Sequence, residues 1–201
     1  MPAIEESNAP DHLFRSRLAA LLAGVRPWDE LERSHLTAAR EWIVSGAQLW
    51  RVRRPDVPAM HLVSYFVVLD ETRKELLLVA HRKAGLWLPS GGHVEPQEDP
   101  WETVVRECRE ELCIAAVPAT VGAKAPFFLT VTQTRGPGRH TDVSLWYLLQ
   151  ADVDQITSFD EGEFEAIKWL SLGQVLDQPM DTLDPHMHRF TRKLMKAMAL
   201  V

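Results

Sequence analysis

Cysteine is scarce in this chain, a basic excess is missing, and no long apolar run interrupts it. The two cysteines in 201 residues, Cys108 and Cys113, cannot staple a disulfide scaffold and lack the further ligand pairs of a zinc site. A bridge across five residues does not suit a reducing compartment, so both thiols are read as packing residues. No stretch approaches the roughly 20 apolar residues that span a bilayer. The start, Met-Pro-Ala-Ile-Glu-Glu, is acidic and lacks the apolar centre of a secretory leader. The expectation is therefore a cytoplasmic protein with no membrane partner. A net charge of −6 argues against a broad basic face for nucleic acid. Repeats and low-complexity tracts are also absent. What remains is an ordinary soluble composition, 46% hydrophobic and 25% charged, long enough for one domain or one domain with an extension.

The charge is unevenly spread. Residues 1–60 carry eight acids and eight bases, residues 61–201 twenty and fourteen. Much of the excess gathers between Gly92 and Ile114. Asp99-Pro100 opens a helix there, Asp as the cap and Pro at the first helical position, where its missing N–H costs nothing. The pattern predicts a helix from about Pro100 to Leu112. At about 100° per residue, Glu107, Glu110 and Glu111 fall within one arc, beside an apolar arc of Trp101, Val104, Val105, Cys108 and Leu112. Like charges at these spacings repel by about 0.2–0.5 kcal/mol per pair. Arg106 and Arg109 can offset that on a solvated face, and so can a hard divalent cation such as Mg²⁺, which takes one or two carboxylates together with water and phosphate oxygens.

The full frame decides between them. Gly92, Glu98 and Arg106-Glu107-Cys108-Arg109-Glu110-Glu111-Leu112-Cys113-Ile114 resemble the signature of the Nudix hydrolases: Gly, five residues, Glu, seven residues, Arg-Glu-aliphatic-x-Glu-Glu-x-Gly-aliphatic. Every charged position matches. Typical residue frequencies put a chance match on the order of one in a million for a chain this long. Two positions depart. Cys108 stands at an aliphatic position, a mild change because buried Cys behaves as a small hydrophobe. Cys113 replaces the Gly suited to a left-handed helix end; keeping that backbone costs about 1–2 kcal/mol, or else the helix ends differently. Leu86 to Glu95, the entry to the frame, and Phe164 to Leu170, a late strand, also resemble the family, over about Met60 to Leu176.

The resemblance implies an αβα sandwich around a central mixed β-sheet and a hydrolase of diphosphate (acid anhydride) bonds that uses Mg²⁺, or Mn²⁺ in its place. Glu107, Glu110 and Glu111 would be the metal ligands, with the Gly92 carbonyl as a further one. Arg106 would orient Glu107, because a guanidinium clamps a carboxylate in fixed geometry. Glu98 would support Arg106 or a second metal. For the general base the candidates are Glu107 itself and an acid of the loop at 159–163, with Glu163 preferred. Arg82, Lys83, His93 and Asp142 are candidate substrate-binding residues, and His140 beside Asp142 could face the substrate too. Trp146 and Phe128 are expected to fill the core rather than stack on a base. His186-Met-His188 resembles half a metal site, but such pairs on a terminal helix mostly lie at the surface.

Elsewhere the pattern predicts an α/β (α+β) fold with an N-terminal helical extension, divided as residues 1–58 and a catalytic domain over 59–201. Residues 1–10 read as disordered. Helices are expected over His12–Leu22 and Trp28–Val44, followed by a basic, Pro-containing connector from Arg51. Leu62–Leu69 reads as a buried strand, with further strands at Glu75–Ala80, Phe127–Thr134, Val143–Leu149 and Ile167–Leu170. The turn-rich residues 135–139 join Phe127–Thr134 to Val143–Leu149. A helix at Leu172–Leu176 and a last one opened by Asp184-Pro185 complete the set. The extension could serve a homodimer or a lid. Partners are then a small nucleotide or other diphosphate substrate, a nucleoside triphosphate, intact or oxidised, being the default. Two alternatives carry different chemistry: a non-catalytic nucleotide-sensing module, weakened because no acid of the frame is missing, and an isopentenyl-diphosphate isomerase, which needs a Cys and a Glu poised at carbon.

Overall fold

The apolar run at 62–69 becomes the middle of a seven-stranded sheet. In the computed structural model, which describes residues 9–53, 57–135 and 139–199, this strand, β1, spans Met60–Asp70. Its neighbours are β2 (Glu75–His81), β3 (Leu86–Leu88), β4 (Ser90–His93), β5 (Phe128–Gln133), β6 (Thr141–Gln150) and β7 (Phe164–Ser171). β1 runs parallel to β6, in register from Met60 with Thr141 to Leu69 with Gln150. It is antiparallel to β4 and to the start of β2. β5 pairs antiparallel with β6, and β7 with β2. The sheet is therefore mixed, as expected.

Burial on both faces explains the nearly unbroken apolar run. One face carries Leu62, Phe66 and Val68 and packs on α3 (Pro100–Leu112) through Trp101, Val104, Cys108 and Leu112. The opposite face carries Val67, Leu69, Phe128, Trp146 and Leu148 and packs on α4 (Leu172–Asp177) and α5 (Met187–Met198). Phe128 and Trp146 are fully buried, in the core as expected.

The N-terminal helices α1 (Ala9–Gly24) and α2 (Glu30–Val44) add Phe14, Leu18, Leu22, Leu36, Ala39 and Ile43 to the α3-side core. Asp29 caps α2 by accepting the Glu32 amide, so this helix starts two residues beyond Trp28. Buried charge ties α2 to α5. Fully buried Glu32 accepts from Lys193 Nζ at 2.7 Å, from the Trp28 amide at 2.6 Å and from the Leu129 amide at 3.3 Å. Arg189 pairs with Asp29, holding that carboxyl down at about 2.

Several expectations need correction. Asp184-Pro185 opens a turn, not the last helix: Asp184 Oδ1 accepts the His186 amide and α5 begins at Met187. His186 and His188 are buried rather than superficial. His186 Nε2 lies 2.9 Å from Thr132 Oγ1, its Nδ1 lies 2.8 Å from Arg189 Nη1, and its ring meets His35 edge-on. Cys108 packs in the core, but Cys113 is exposed. The expected disorder of residues 1–8 lies outside the described residues, as do 54–56 of the connector and 136–138 of the turn. Ala9 and Pro10 already belong to α1.

Candidate active site

The site is built where β4 crosses the flank of α3. β4 has no apolar periodicity; its four residues are Ser-Gly-Gly-His, and its place is set by pairing with β1 from Val63 to Phe66. Gly91 has φ +146, and a Cβ there would lie 2.2 Å from the Ser64 carbonyl oxygen. Only glycine lets the two strands approach so closely. A Cβ on Gly92 would lie 2.0 Å from Glu107 Oε1, so the missing side chain makes the space in which that carboxylate rests.

The helix is positioned from both ends. Asp99 accepts the Trp101 amide at 2.9 Å, Pro100 occupies the first turn, and Ser64 Oγ donates to the Pro100 carbonyl at 2.9 Å. At the other end Cys113 adopts φ +56, ψ +26, the left-handed geometry expected of the family's glycine, and keeps it without glycine's freedom. The Glu111 carbonyl then receives the Asp160 amide at 2.8 Å, which docks the loop before β7 beside the acids.

Glu111 is buried and accepts from the Ser90 hydroxyl and from the Gly91 amide. Burial, and then the charges of Glu107 and Glu163, push its carboxyl up to about 8 against the pull of those hydrogen bonds. Glu107 is also raised, by burial first, with Glu110 and Glu163 adding to it and Arg106 opposing. Glu163, exposed on its loop, thus projects its field onto both helix carboxylates, and its carbonyl accepts the Arg82 amide at 2.9 Å.

Arg106 links the cluster. It donates from Nε to Glu98 Oε1 at 2.9 Å, from Nη2 to Glu98 Oε2 at 3.0 Å and to the His93 carbonyl at 3.2 Å, and from Nη1 to Glu107 at 2.5 Å. Glu110, more exposed, stands 3.7 Å from the same guanidinium. Burial alone would raise Glu98, but hydrogen bonds from Arg106, the Glu95 amide and Thr103 outweigh it and hold the carboxyl below its usual value.

Of the candidate substrate contacts, Arg82 reaches the loop, donating to the Glu161 carbonyl at 2.9 Å and standing 3.7 Å from Glu165, while Lys83 is exposed. His93 and Asp142 lie apart from these, together with His61 and His140. Sequence reasoning singled out His93, His140 and Asp142 separately but passed over His61. The parallel register that sets His61 beside Asp142 has no local signature in the chain.

One buried and one half-buried carboxylate, both raised in proton affinity, an exposed third on the same flank and a glycine cradle form a donor set suited to a hard cation with oxygen ligands. A positive charge there would relieve what burial and mutual repulsion impose. Among the described residues, one set of three or more His, Cys, Asp or Glu side chains brings a ligand atom each within 4.8 Å of the others, and it is not the acids of α3.

A family model of the NUDIX domain matches residues 60–194, two-thirds of the chain. The chain belongs to the Nudix family. It is a hydrolase of the kind that acts on diphosphate bonds. Similar proteins include the CTP pyrophosphohydrolase of Escherichia coli (strain K12), 32% identical over 102 residues, covering 51% of this chain and 67% of that one. An uncharacterized Nudix hydrolase of Bacillus subtilis (strain 168) is 26% identical over 125 residues, covering 61% of this chain and 75% of the relative. Among solved structures, a MutT protein from Methanosarcina mazei Go1 superposes with a TM-score of 0.54 at 22% identity, covering 68% of this chain and 94% of the other. A C. elegans Ap4A hydrolase does so at 0.52 and 21%, covering 70% and 98%. These likenesses establish the Nudix fold across residues 60–194. Among the described residues, no helix is long and apolar enough to cross a membrane.

Proposed function

We propose that this Nudix hydrolase is a Mg²⁺-dependent pyrophosphohydrolase of a nucleoside triphosphate, and that Glu107, Glu110, Glu111 and the Gly92 carbonyl hold the metal. The observation that carries the reading is the seating of Glu107 against Gly92 and of Glu111 against Ser90 and Gly91. A bound divalent ion there supplies charge neutralisation for phosphate oxygens and polarises a water. The chain's own residues do the rest. Arg106, clamped by Glu98, fixes the Glu107 carboxylate, so the group is oriented before substrate arrives. Glu163, on the loop docked to the end of α3, and Glu107 itself are the candidates to accept a proton from the attacking water; burial raises the proton affinity of Glu107, which favours that role. Arg82 and Lys83 stand before β3 as phosphate contacts on an otherwise acidic surface.

The nucleoside triphosphate is supported by the similarity to a CTP pyrophosphohydrolase. An isomerase reading is disfavoured because Cys108 is sealed in the core and its thiol is pushed up to about 12 by burial. The test is a panel of nucleoside triphosphates, nucleotide sugars and dinucleotides with Mg²⁺ or Mn²⁺, with the cleaved bond mapped by ¹⁸O from water. Cleavage of a triphosphate with label on phosphorus, abolished in Glu107→Gln and Glu110→Gln, is expected. Turnover that survives both substitutions overturns the assignment of these acids, and preference for a dinucleotide or nucleotide sugar overturns the substrate class.

A further inference from the structure

Four side chains converge beyond the α3 frame, at the ends of three strands. His61 comes from β1, His93 from the end of β4, Asp142 from β6 and His140 from the residues leading into β6. One ligand atom from each lies within 4.8 Å of the other three. His93 Nε2 is 2.9 Å from His61 Nε2, Asp142 Oδ1 is 3.2 Å from His140 Nε2, and the same oxygen is 3.4 Å from His61 Nε2. A tetrahedron with metal–ligand bonds of about 2.0–2.1 Å has edges of about 3.3 Å, so these three separations already approach the edges of such a site.

The outer nitrogens are engaged, which aims the inner ones. His61 Nδ1 lies 3.1 Å from the Pro58 carbonyl oxygen, and His140 Nδ1 lies 3.2 Å from Thr134 Oγ1. Metal-binding histidines characteristically anchor their second nitrogen in this way. A carbonyl only accepts, so a proton sits on His61 Nδ1, and Nε2 faces His93 Nε2 and Asp142 Oδ1. That oxygen is buried and, despite its two histidine neighbours, makes no hydrogen bond of good geometry. An imidazole nitrogen and a buried carboxylate oxygen that converge on one point, with two more imidazole nitrogens beside them, form a lone-pair donor set for a cation.

We propose that His61, His93, His140 and Asp142 form a binding site for a borderline divalent transition-metal ion of the zinc class, separate from the all-oxygen site on α3. Three imidazoles and one carboxylate suit Zn²⁺, Co²⁺ or Ni²⁺ and not Mg²⁺, which prefers oxygen ligands and retained water. Four protein ligands leave no open position, the pattern of a structural rather than a catalytic centre. His61 is fully buried, whereas His93 and His140 are half-buried and offer the way in. The ion would join β1, β4 and β6, and this inference stands independently of the substrate proposal.

The full chain, stripped with a chelator, is titrated with Co²⁺ and followed by visible absorption, with Zn²⁺ as competitor. One Co²⁺ per chain with the intense bands of tetrahedral coordination is expected, displaced by stoichiometric Zn²⁺ and unaffected by excess Mg²⁺. His140→Ala and the isosteric Asp142→Asn should each weaken binding at least tenfold, and Thr134→Val about tenfold, as loss of an outer hydrogen bond does. The double variant Glu107→Gln/Glu111→Gln should keep the spectrum. Absence of tetrahedral bands overturns the proposal. Bands that persist in both His140→Ala and Asp142→Asn, or that vanish in the double glutamine variant, overturn it as well.

Discussion

Replacing Gly92 by alanine tests the cradle directly. Gly92 is not among the left-handed residues, so alanine brings no backbone strain. Its Cβ, however, would fall 2.0 Å from Glu107 Oε1 and 2.5 Å from Glu107 Cδ. Ordinary contact requires more than 3 Å, so the carboxylate must retreat by at least about 1 Å, a displacement that costs an enzyme on the order of 100-fold in rate, or about 2.7 kcal/mol in the barrier. The side chain that moves is flexible, and what it gives up is its partly exposed contact with Arg106. Stability should therefore fall by no more than about 1 kcal/mol. The measurements are kcat/KM on the substrate that the panel identifies, and urea unfolding. Gly24→Ala, where a Cβ meets nothing within 4 Å, is the control and should leave turnover unchanged. In a Glu107→Ala background Gly92→Ala should cost nothing further, because the clash is gone. If Gly92→Ala retains more than a tenth of its activity, or loses several kcal/mol of stability, the seating of Glu107 against Gly92 is not what organises the site.

Cys113→Gly should raise stability by about 1 kcal/mol, because a left-handed residue with a Cβ is replaced by one without; equal or lower stability by urea unfolding would contradict this. A thiol reagent should modify Cys113 in the native protein and Cys108 only on unfolding, which mass spectrometry of peptides resolves. Lys193→Met strands Glu32 without its cation and should cost about 3–5 kcal/mol, read from the urea midpoint. In the metal-free protein the Glu111 carboxyl, raised from its ordinary 4.5 to about 8, binds a proton more tightly folded than unfolded. Its contribution to stability is thus present below pH 4.5 and is lost as pH rises through 8, a fall of a few kcal/mol at about 1.4 kcal/mol per tenfold change in proton affinity. Glu111→Gln should flatten that limb, and a limb unchanged in this variant would show that another group titrates.

Much of this architecture could be read from residue order because its signals are local. The helix from Pro100 to Leu112 declares both ends: Asp99-Pro100 supplies the cap and first turn, and the apolar stripe of Trp101, Val104, Cys108 and Leu112 stops where a left-handed residue is needed. The long strands β1 and β6 announce themselves by apolar runs that only a doubly covered sheet can bury. The α5 start was less legible, since Asp-Pro resembles a cap in either of two ways. Here Asp184 spends its side chain on the His186 amide, an Asx-type turn, and the helix begins later. His186 and His188 defy the surface expectation for polar residues near a terminal helix because tertiary packing covers them: Thr132, Arg189 and His35 surround the first.

The strand that escaped, β4, has no periodic signal. Ser90 to His93 contain no alternation of apolar and polar side chains, yet each has a distinct contact: Ser90 and Gly91 hold Glu111, Gly92 makes room for Glu107, and His93 turns its ring to His61 while its carbonyl accepts Arg106. A strand of four residues with so few side-chain atoms gains little from burial, so pairing with β1 and these polar contacts must fix it. That explains why its sequence is legible as a motif and illegible as a strand. It also places an oxygen-rich cluster on one side of β4 and a nitrogen-rich cluster on the other, within two consecutive residues. A change at Gly92 acts on Glu107 alone, whereas loss of the Arg106 contact to His93 loosens the strand that both clusters share. The sharpest separation of the two should therefore come from side-chain substitutions at Glu107 and His140, which leave the β4 backbone in place.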